Sequence, residues 1–575
     1  MLTTRSDRHF WLLVVMALLV LGTGLGLRDP WPSDEPRFAL VAKQMVDSGD
    51  WLFPHRGTEL YSDKPPMLMW LQATFFSVFG NWRVAFLLPS LLAALGTLAC
   101  VYDLGRRLWT RRVGLYAAWA VLFALQFTFQ AKKAQIDPLV VFFITLANYG
   151  LLRHLLLGPA WRWWWLGWFA AGLGVITKGV GVIALLMVLP AVWASWRGWP
   201  GVRLHARRWQ FWLGPVALLA AIALWLVPVV TTALAHDLPE YRAYLNDILF
   251  RQTAQRYAQS WDHHQPVWYH LATMLTMWLP AFLAVPWAVA GWKRRLQRCD
   301  ARYLLPLAWW LMVVVFFSIP QGKRDVYILP ALPMFCLALA PMLPGILRQR
   351  SFRWLLTAFT AALSLALLGA GVAMLAGEPK FETTLMASRG LSAGSTDALG
   401  WLAAALGAWG IGSVLWFGAR RPAVALAALL TAVWVGYGLV AYPVLNDSSS
   451  ARGLMRAVGD RIGPTAELGL VGWKEQNLLM ADRPAQTFGF KRRWDDQLRA
   501  GVAWQAQVPG NRWLLVQDVA LLGCVDRKQS EVAGVANRRR WWLVPAVAVT
   551  GPCVATAEER EVGRREQGKL FDGND

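Results

Sequence analysis

Membrane-length apolar runs follow one another along most of this chain and leave few folds open to it. About thirteen stretches approach the roughly 20 residues that a helix needs to cross a bilayer. Inside lipid the backbone must satisfy its own hydrogen bonds, which favours helices. The sequence therefore predicts a polytopic α-helical membrane protein. The runs lie at 10–27, 83–104, 113–131, 138–157, 163–177, 179–196, 210–234, 268–291, 303–320, 326–344, 354–376, 397–417 and 422–442.

Composition excludes most other classes of protein. Hydrophobic residues make up 56% of the chain and charged residues only 16%, too few charges for a soluble protein of this size. The net charge of +22 would ordinarily indicate nucleic acid. Here the basic residues cluster in short loops between apolar runs, as in cytoplasmic loops of membrane proteins. The expected partner is the lipid bilayer, and no nucleic-acid partner is expected.

Loop charges predict the orientation of the chain. One set of alternate loops is rich in arginine and lysine and almost free of acids, so the positive-inside rule makes it cytoplasmic. The run at 10–27 follows Arg5 and Arg8 without a cleavage site, which indicates an uncleaved first span. The N-terminus is then cytoplasmic, and an odd number of spans places the tail outside. These basic loops hold Arg106, Arg107, Arg111, Arg112, Arg153, Arg162, Arg197, Arg203, Arg207, Arg208, Lys293, Arg294, Arg295, Arg298, Arg348, Arg350, Arg353, Arg420 and Arg421.

The outer loops collect charges of both signs beside the membrane. Polar groups at a membrane boundary are costly and usually have a task, so this face predicts an active site. Ordinary solvated loop charges are the alternative interpretation. The charged residues are Asp34, Glu35, Asp63, Lys64, Lys132, Lys133, Asp137, Lys178, Asp237, Glu240, Asp247, Asp262, His263, His264, Lys323, Arg324 and Asp325.

The first outer loop, residues 28–82, reads as two short helices. Asp34, Glu35 and Pro36 are typical of a helix start, and Gly49 of a helix end. A second apolar helix follows 64–66 and ends at Gly80. Both are too short to span and are expected to lie at the membrane surface. Their N-termini would favour anions such as phosphate.

Six motifs in the outer loops resemble, in order, those of a known family. The family is the lipid A aminoarabinose transferases and their relatives, the GT-C glycosyltransferases that use polyprenyl-phosphate sugars. The resemblance covers about residues 10–345 and departs at Phe38, Asp63, Val180 and Val267. The motifs are Asp34-Glu35-Pro36-Arg37-Phe38, Tyr61-Ser62-Asp63-Lys64-Pro65-Pro66, Asp137, Thr177-Lys178-Gly179-Val180, His264-Gln265-Pro266-Val267-Trp268-Tyr269-His270 and Tyr327-Ile328-Leu329-Pro330.

The resemblance implies a glycosyltransferase of the bacterial inner membrane. Its transmembrane GT-C catalytic domain would occupy residues 1–442. It would move a sugar, such as 4-amino-4-deoxy-L-arabinose, from undecaprenyl phosphate to a lipid A phosphate or another envelope glycan, with inversion, at the periplasmic face. Asp34 and Asp137 would be catalytic. Lys64, Arg37, Tyr61, Tyr327, Lys178, Lys323 and Arg324 would bind the donor phosphate, and Glu35, Asp63, His263 and His264 would complete the pocket.

The acceptor decides the role of the two carboxylates. A hydroxyl acceptor needs a general base, for which Asp34 is the natural candidate. A phosphate acceptor is already a nucleophile, and Asp34 and Asp137 would then orient the substrate or bind a sugar amino group. A structural divalent metal is a further hypothesis, with Asp63 and His264 as weak candidate ligands because no compact metal motif surrounds them.

The composition changes after residue 442. Short apolar strands alternate with helical patterns across 443–575, which predicts a small α/β domain in the periplasm. Cys524 and Cys553 are its only cysteines, and an oxidising compartment would allow them to pair. The charged segment 558–575 predicts a disordered tail.

Three other functions stay open at this point. A protein O-mannosyltransferase-like enzyme would share the donor chemistry but differ in acceptor. A lipid or glycan transporter or flippase is expected to show internal repeats and mid-span polar residues, and neither is evident. A non-catalytic membrane scaffold would have no need for a one-sided set of Asp, Lys and His.

Overall fold

The computed structural model describes residues 5–249, 264–377 and 393–571. Up to residue 450 these residues are almost entirely helical, and a mixed α/β unit follows. The α-helices before residue 300 are Arg5–Gly22, Glu35–Ser48, Met67–Phe79, Trp82–Ala85, Leu88–Leu108, Arg111–Leu122, Leu125–Ala131, Ile136–Leu157, Trp161–Lys178, Val188–Trp196, Trp209–His236, Pro239–Asn246, Tyr269–Met277 and Val285–Gln297. The later ones are Ala301–Ser318, Leu332–Leu339, Leu343–Ile346, Arg350–Leu375, Ala393–Phe417, Pro422–Gly436, Tyr442–Ser450, Arg452–Ile462, Glu475–Leu479, Trp494–Gln505 and Ala557–Phe571.

The chain is a multi-pass membrane protein. Within the described residues, seven helices are long and apolar enough to cross a bilayer, or up to nine if each of two bent pairs is one span. The bent pairs are Arg111–Leu122 with Leu125–Ala131, at 69°, and Tyr269–Met277 with Ala281–Gln297, at 100°. Four further apolar helices are shorter than a span. The polytopic helical fold is as predicted, and the number of thirteen spans stays a prediction.

One antiparallel helix pair brings two polar helix ends together. Helix Ile136–Leu157 runs against Trp161–Lys178, so the start of the first lies beside the end of the second. The two backbones meet where a Cβ on Gly150 would lie 2.9 Å from the Gly167 Cα. Glycine is needed there because any side chain would push the helices apart. This packing fixes the distance between Asp137 and Lys178.

The two helices of the first outer loop have the boundaries that their end residues predict. Glu35–Ser48 follows Asp34 and ends at Gly49, whose φ of 75° lets its N–H bond the Met45 carbonyl. Met67–Phe79 likewise ends at Gly80. The first helix is covered by protein, since Phe38, Val41, Ala42 and Met45 pack in one cluster with residues of Met67–Phe79.

A five-stranded mixed sheet organises the part after residue 450. The first-loop strands are β1 His55–Arg56 and β2 Glu59–Leu60, and the sheet holds β3 Glu467–Val471, β4 Ala485–Thr487, β5 Arg512–Gln517, β6 Glu531–Ala536 and β7 Arg539–Val544. The strand order is β4-β3-β5-β7-β6, parallel between β4, β3 and β5 and antiparallel beyond. Leu468 and Leu470 face one buried cluster and Val471 faces the other, so both sides of the sheet are covered.

A disulfide, a helix cap and an ion pair order the last part of the chain. Cys524 and Cys553 form a disulfide. Residues 558–571, which composition predicts to be disordered, instead belong to helix Ala557–Phe571. Thr556 and Glu559 cap its start reciprocally, and Arg539 pairs with Glu566 at 3.0 Å. The helix forms because caps and tertiary ion pairs replace the missing apolar face.

The first outer loop docks on this α/β unit. Leu40 joins the cluster that covers Leu468 and Leu470. Gly57, in the turn between β1 and β2, lies so close to Trp473 that a Cβ would come within 3.0 Å of its ring. The outer loop and the unit after residue 450 therefore lie on the same side of the membrane helices.

Candidate functional site

Asp34 stands at the N-terminus of helix Glu35–Ser48, where the segments that hold Gln135 and Arg324 meet it. Its carboxylate accepts a hydrogen bond from Gln135 at 3.2 Å and has Arg37 at 3.6 Å and Arg324 at 3.9 Å. The Asp34 side chain is 20% exposed, so a ligand can reach it. Two predicted phosphate-binding residues, Arg37 and Arg324, thus flank a predicted catalytic carboxylate.

A second polar cluster joins the first loop to the α/β unit. Glu475 accepts a hydrogen bond from Arg37 Nε at 3.1 Å and lies 3.5 Å from Arg56. Arg56 also donates to Asp63 at 3.2 Å. Tyr61 lies beneath the Arg56 guanidinium, 5.2 Å from ring centre to Cζ. Two arginines and two carboxylates are held here with little freedom.

The ionisation of this cluster follows from its burial and its neighbours. Burial alone would raise the pKa of the Asp63 carboxyl, but Arg56, Lys491 and Arg37 hold it below its usual value. Burial, with the Asp63 charge, raises the pKa of the Tyr61 phenol. Tyr61 is fully buried, and its hydroxyl has no hydrogen-bond partner among the described residues. That hydroxyl is therefore a buried, unsatisfied donor beside the cluster.

Asp137 and Lys178 form an ion pair across the helix pair described above. Asp137 lies in the first turn of its helix and Lys178 is the last residue of the other. Lys178 Nζ also lies 5.3 Å from the centre of the Tyr327 ring. The structure therefore groups three predicted site residues, with Asp137 engaged by a cation.

Glu35 is buried and stabilises the start of its helix. It is 4% exposed and forms a two-pronged ion pair with Arg28, which is 2% exposed. It also accepts hydrogen bonds from the N–H groups of Trp31 and Ala134, at 2.8 and 2.9 Å. Glu35 thus ties the start of its helix to the segment before Asp137 and orients Asp34 next to it.

The remaining predicted residues lie around these clusters. Lys64 is partly buried at the start of the second loop helix, and its positive charge helps to lower the pKa of the Asp63 carboxyl. Lys323 is buried and donates to the Gln265 carbonyl at 2.9 Å, which braces the next segment. His264 is exposed and bridges to Gly322, and His263 lies outside the described residues.

The candidate metal ligands lie in other interactions. Asp63 pairs with Arg56, a cation that occupies the position beside the carboxylate where a metal would bind. Over the described ranges, no group of three or more His, Cys, Asp or Glu could hold a metal ion. The residues in this part of the structure do not fit a divalent metal site.

Several site residues escape sequence reasoning. Arg28, Arg56 and Glu475 form buried ion pairs, yet none belongs to a motif. The burial of Arg28 and the approach of Glu475 to Arg37, 438 residues away in sequence, arise only on folding. Lys133 was among the outer-loop charges found in the sequence. Burial lowers its pKa, and the charges of Glu35, Asp325 and Asp34 counter this.

Lys132 is expected to make folding stability depend on pH. Burial and the nearby Arg28 charge lower its pKa from 10.5 to about 7. Between about pH 7 and 10 the unfolded chain then binds more protons than the folded one, so stability rises with pH across that window. We expect the thermal midpoint in detergent to rise with pH in this window. The rise should be smaller in Lys132→Met, and parallel curves for the two proteins would contradict this.

Comparisons with known proteins agree with the resemblance. The family described as dolichyl-phosphate-mannose-protein mannosyltransferase matches residues 63–230. The undecaprenyl phosphate-alpha-4-amino-4-deoxy-L-arabinose arabinosyl transferase of Pectobacterium carotovorum is 31% identical over 382 residues, 63% of this chain and 65% of that protein. A second such transferase, from Sodalis glossinidius, is 32% identical over 340 residues, 57% of this chain and 58% of its own length. The matched region thus spans less than two thirds of the length of these relatives.

The fold extends the similarity over nearly the whole chain. The crystal structure of ArnT from Cupriavidus metallidurans bound to undecaprenyl phosphate superposes with a TM-score of 0.71 at 19% identity. The superposition covers 94% of this chain and 99% of that one. The chain is therefore similar in sequence to these arabinosyl transferases over part of its length, and it has the fold of the ArnT structure.

Proposed function

We propose that this chain is an integral-membrane glycosyltransferase that uses a polyprenyl-phosphate sugar as donor. The observation that carries the proposal is the set of cations gathered around Asp34 at the outer ends of the membrane helices. Arg37 and Arg324 lie within 4 Å of its carboxylate, at 3.6 and 3.9 Å. Its relatives are arabinosyl transferases by name, and one of the similar structures holds undecaprenyl phosphate.

The donor chemistry suits such a site. The bond between the anomeric carbon and the phosphate oxygen breaks, and the phosphate leaves with the electron pair. The acceptor oxygen forms the new bond from the opposite face, which inverts the anomeric centre. Cations near the departing phosphate stabilise the charge that develops. Arg37, Lys64 and Arg324 supply that charge, and the Tyr61 hydroxyl can donate a hydrogen bond.

The two carboxylates take different roles in this proposal. Asp137 is paired with Lys178, so it positions that lysine. The Asp34 side chain is 20% exposed, and it contacts the reacting sugar. With a phosphate acceptor such as that of lipid A, Asp34 binds the sugar's amino group; with a hydroxyl acceptor it removes the proton.

The orientation of the chain belongs to the same proposal. The loops opposite the site are rich in arginine, so the positive-inside rule makes them cytoplasmic. The first outer loop and the α/β unit then face the periplasm of a bacterial inner membrane. The pairing of Cys524 with Cys553 suits that oxidising compartment.

The test is mass spectrometry of lipid A and of the other envelope glycans from cells with and without this chain. Loss of a pentosamine from lipid A in the deletion strain supports transfer of 4-amino-4-deoxy-L-arabinose. A sugar missing from another glycan or from protein keeps the enzyme class and changes the acceptor. No change in any glycan, with the chain well expressed, would refute the proposed function and favour transport.

Glu475→Gln should weaken donor binding although Glu475 lies outside the membrane helices. Its carboxylate holds Arg37 at 3.1 Å and Arg56 at 3.5 Å, so its loss removes one anchor from each guanidinium. Because positioning is lost, we expect the KM for donor to rise about tenfold, the order of one charge-assisted hydrogen bond. Glu467→Gln, which removes an exposed carboxylate on the same unit, is the matched control. Equal KM values for the two variants would contradict the role.

A further inference from the structure

A cleft separate from the Asp34 site opens on the other side of helix Glu35–Ser48. It has a volume of about 340 Å³ and lies between this helix, the segment 80–86 and the α/β unit. Ala39 and Lys43 line it. Residues turn by about 100° each along a helix, which puts both residues about 120° or more away from Arg37. The cleft and the Asp34 site therefore use different faces of one helix.

The charge of the cleft is positive. Lys43, Arg83 and Arg452 line it, against one carboxylate, Asp29. Both arginines bond that carboxylate through Nε and one terminal nitrogen, at 2.5–3.1 Å, and Asn446 donates to it at 2.8 Å. Asp29 is 3% exposed, so it is saturated and hidden beneath the cations.

Hydrogen-bond donors remain unused on the open side of the network around Asp29. The second terminal nitrogen of each arginine makes no hydrogen bond with a described residue, and the two side chains are 39% and 36% exposed. Lys43 is partly buried and forms no ion pair within the described ranges. Two pre-oriented guanidiniums beside an ammonium are the donor set that phosphate oxygens prefer.

The position of the cleft favours a phosphate that is carried by a lipid. Gly80, Asn81 and Trp82 line it, and Trp82 begins a membrane-length helical stretch. Val78 and Phe79, immediately before, are 70% and 56% exposed. An apolar, exposed helix end beside a basic cleft is typical of the boundary where acyl chains meet headgroups. Trp82 and Phe86 give the cleft apolar walls.

We propose that this cleft binds the phosphate of a lipid headgroup, at a site distinct from the donor site. Which lipid carries the phosphate rests on the proposed function. Under that function the lipid is the acceptor, and the cleft binds one of its phosphates. The same chemistry would seat an anionic phospholipid of the surrounding bilayer. The network around Asp29 is joined to the Asp34 site through the neighbouring Arg28 and its pair with Glu35.

The test measures lipid binding without any donor, so its outcome does not depend on sugar transfer. The purified full chain is titrated with diphosphorylated lipid A, phosphatidylglycerol and uncharged diacylglycerol, and binding is followed by native mass spectrometry. Lys43→Gln should weaken binding of a phosphate lipid about tenfold, the order of one charge-assisted hydrogen bond. Lys43→Arg should restore most of it. Lys293→Gln, an exposed lysine in a basic loop, controls for general charge loss.

The outcomes distinguish the acceptor lipid from bulk lipid at this cleft, or they overturn the proposal. A tenfold loss for lipid A alone supports the site as the seat of the acceptor. An equal loss for lipid A and phosphatidylglycerol supports a phosphate site filled by bulk lipid. Unchanged binding of both in Lys43→Gln and in Lys43→Glu, or diacylglycerol binding as tightly as the phosphate lipids, would overturn the proposal. Sugar transfer measured in parallel tests the proposed function separately.

Discussion

Under the proposed function, Asp34→Asn should abolish most sugar transfer. The change keeps the side chain's shape and its ability to accept the Gln135 hydrogen bond. It removes the charge that either deprotonates a hydroxyl acceptor or holds the sugar's amino group. A positioned acid or base contributes about 10²- to 10⁴-fold, so we expect a loss of rate in that range. The measurement is the single-turnover rate of transfer from a polyprenyl-phosphate sugar in detergent.

The same helix supplies a control for this experiment. Asp47→Asn removes an exposed carboxylate from the last turn of Glu35–Ser48, away from the site. This variant should transfer at the wild-type rate. If Asp34→Asn in a well-folded protein is as active as Asp47→Asn, Asp34 has no catalytic role, and Asp137 becomes the carboxylate to test.

Arg28→Met should be the most destabilising single substitution in the outer loop. Arg28 is buried, bonds both oxygens of Glu35 and donates to the Lys132 carbonyl at 3.0 Å. Its guanidinium also lies 4.7–5.2 Å from the ring centres of Trp31, Phe86 and Tyr442. Removing one partner leaves a buried unpaired charge, which costs about 3–5 kcal/mol. We expect a large drop in the unfolding midpoint and a poor yield of monodisperse protein.

A second substitution separates charge from packing. In the double variant Arg28→Met with Glu35→Gln the buried charge is gone, and the new amide's carbonyl oxygen can still accept from one of the two N–H groups, Trp31 or Ala134, that bond the two Glu35 oxygens. Replacing both members of a buried pair costs far less than breaking it, so the double variant should regain much of the lost stability. A double variant as unstable as Arg28→Met would show that the guanidinium's ring contacts, rather than the ion pair, stabilise the loop.

The sequence alone predicted those parts of the structure that depend on interactions between residues close together in the chain. The length of the apolar runs predicted a polytopic helical fold, and Gly49 and Gly80 predicted where the loop helices end. The motif residues Asp34, Arg37 and Arg324 do lie together. Sequence reasoning went astray at residues 558–571, where composition indicated disorder. There the reciprocal caps of Thr556 and Glu559, only three residues apart, are a local signal for a helix start. The pair between Arg539 and Glu566 attaches this helix to the sheet and needs the rest of the fold.

The tertiary structure alone decided which polar groups pair. Glu475 reaches Arg37 because the α/β unit docks on the first loop, a contact across 438 residues that no spacing rule describes. Glu35 and Lys323 were predicted site residues, yet both are buried and hold neighbouring residues in place. Hydropathy and end residues act over a few helical turns, so they can be read from the chain itself. Ion pairs depend on which distant segments meet and on how much water remains, and only the folded chain sets both.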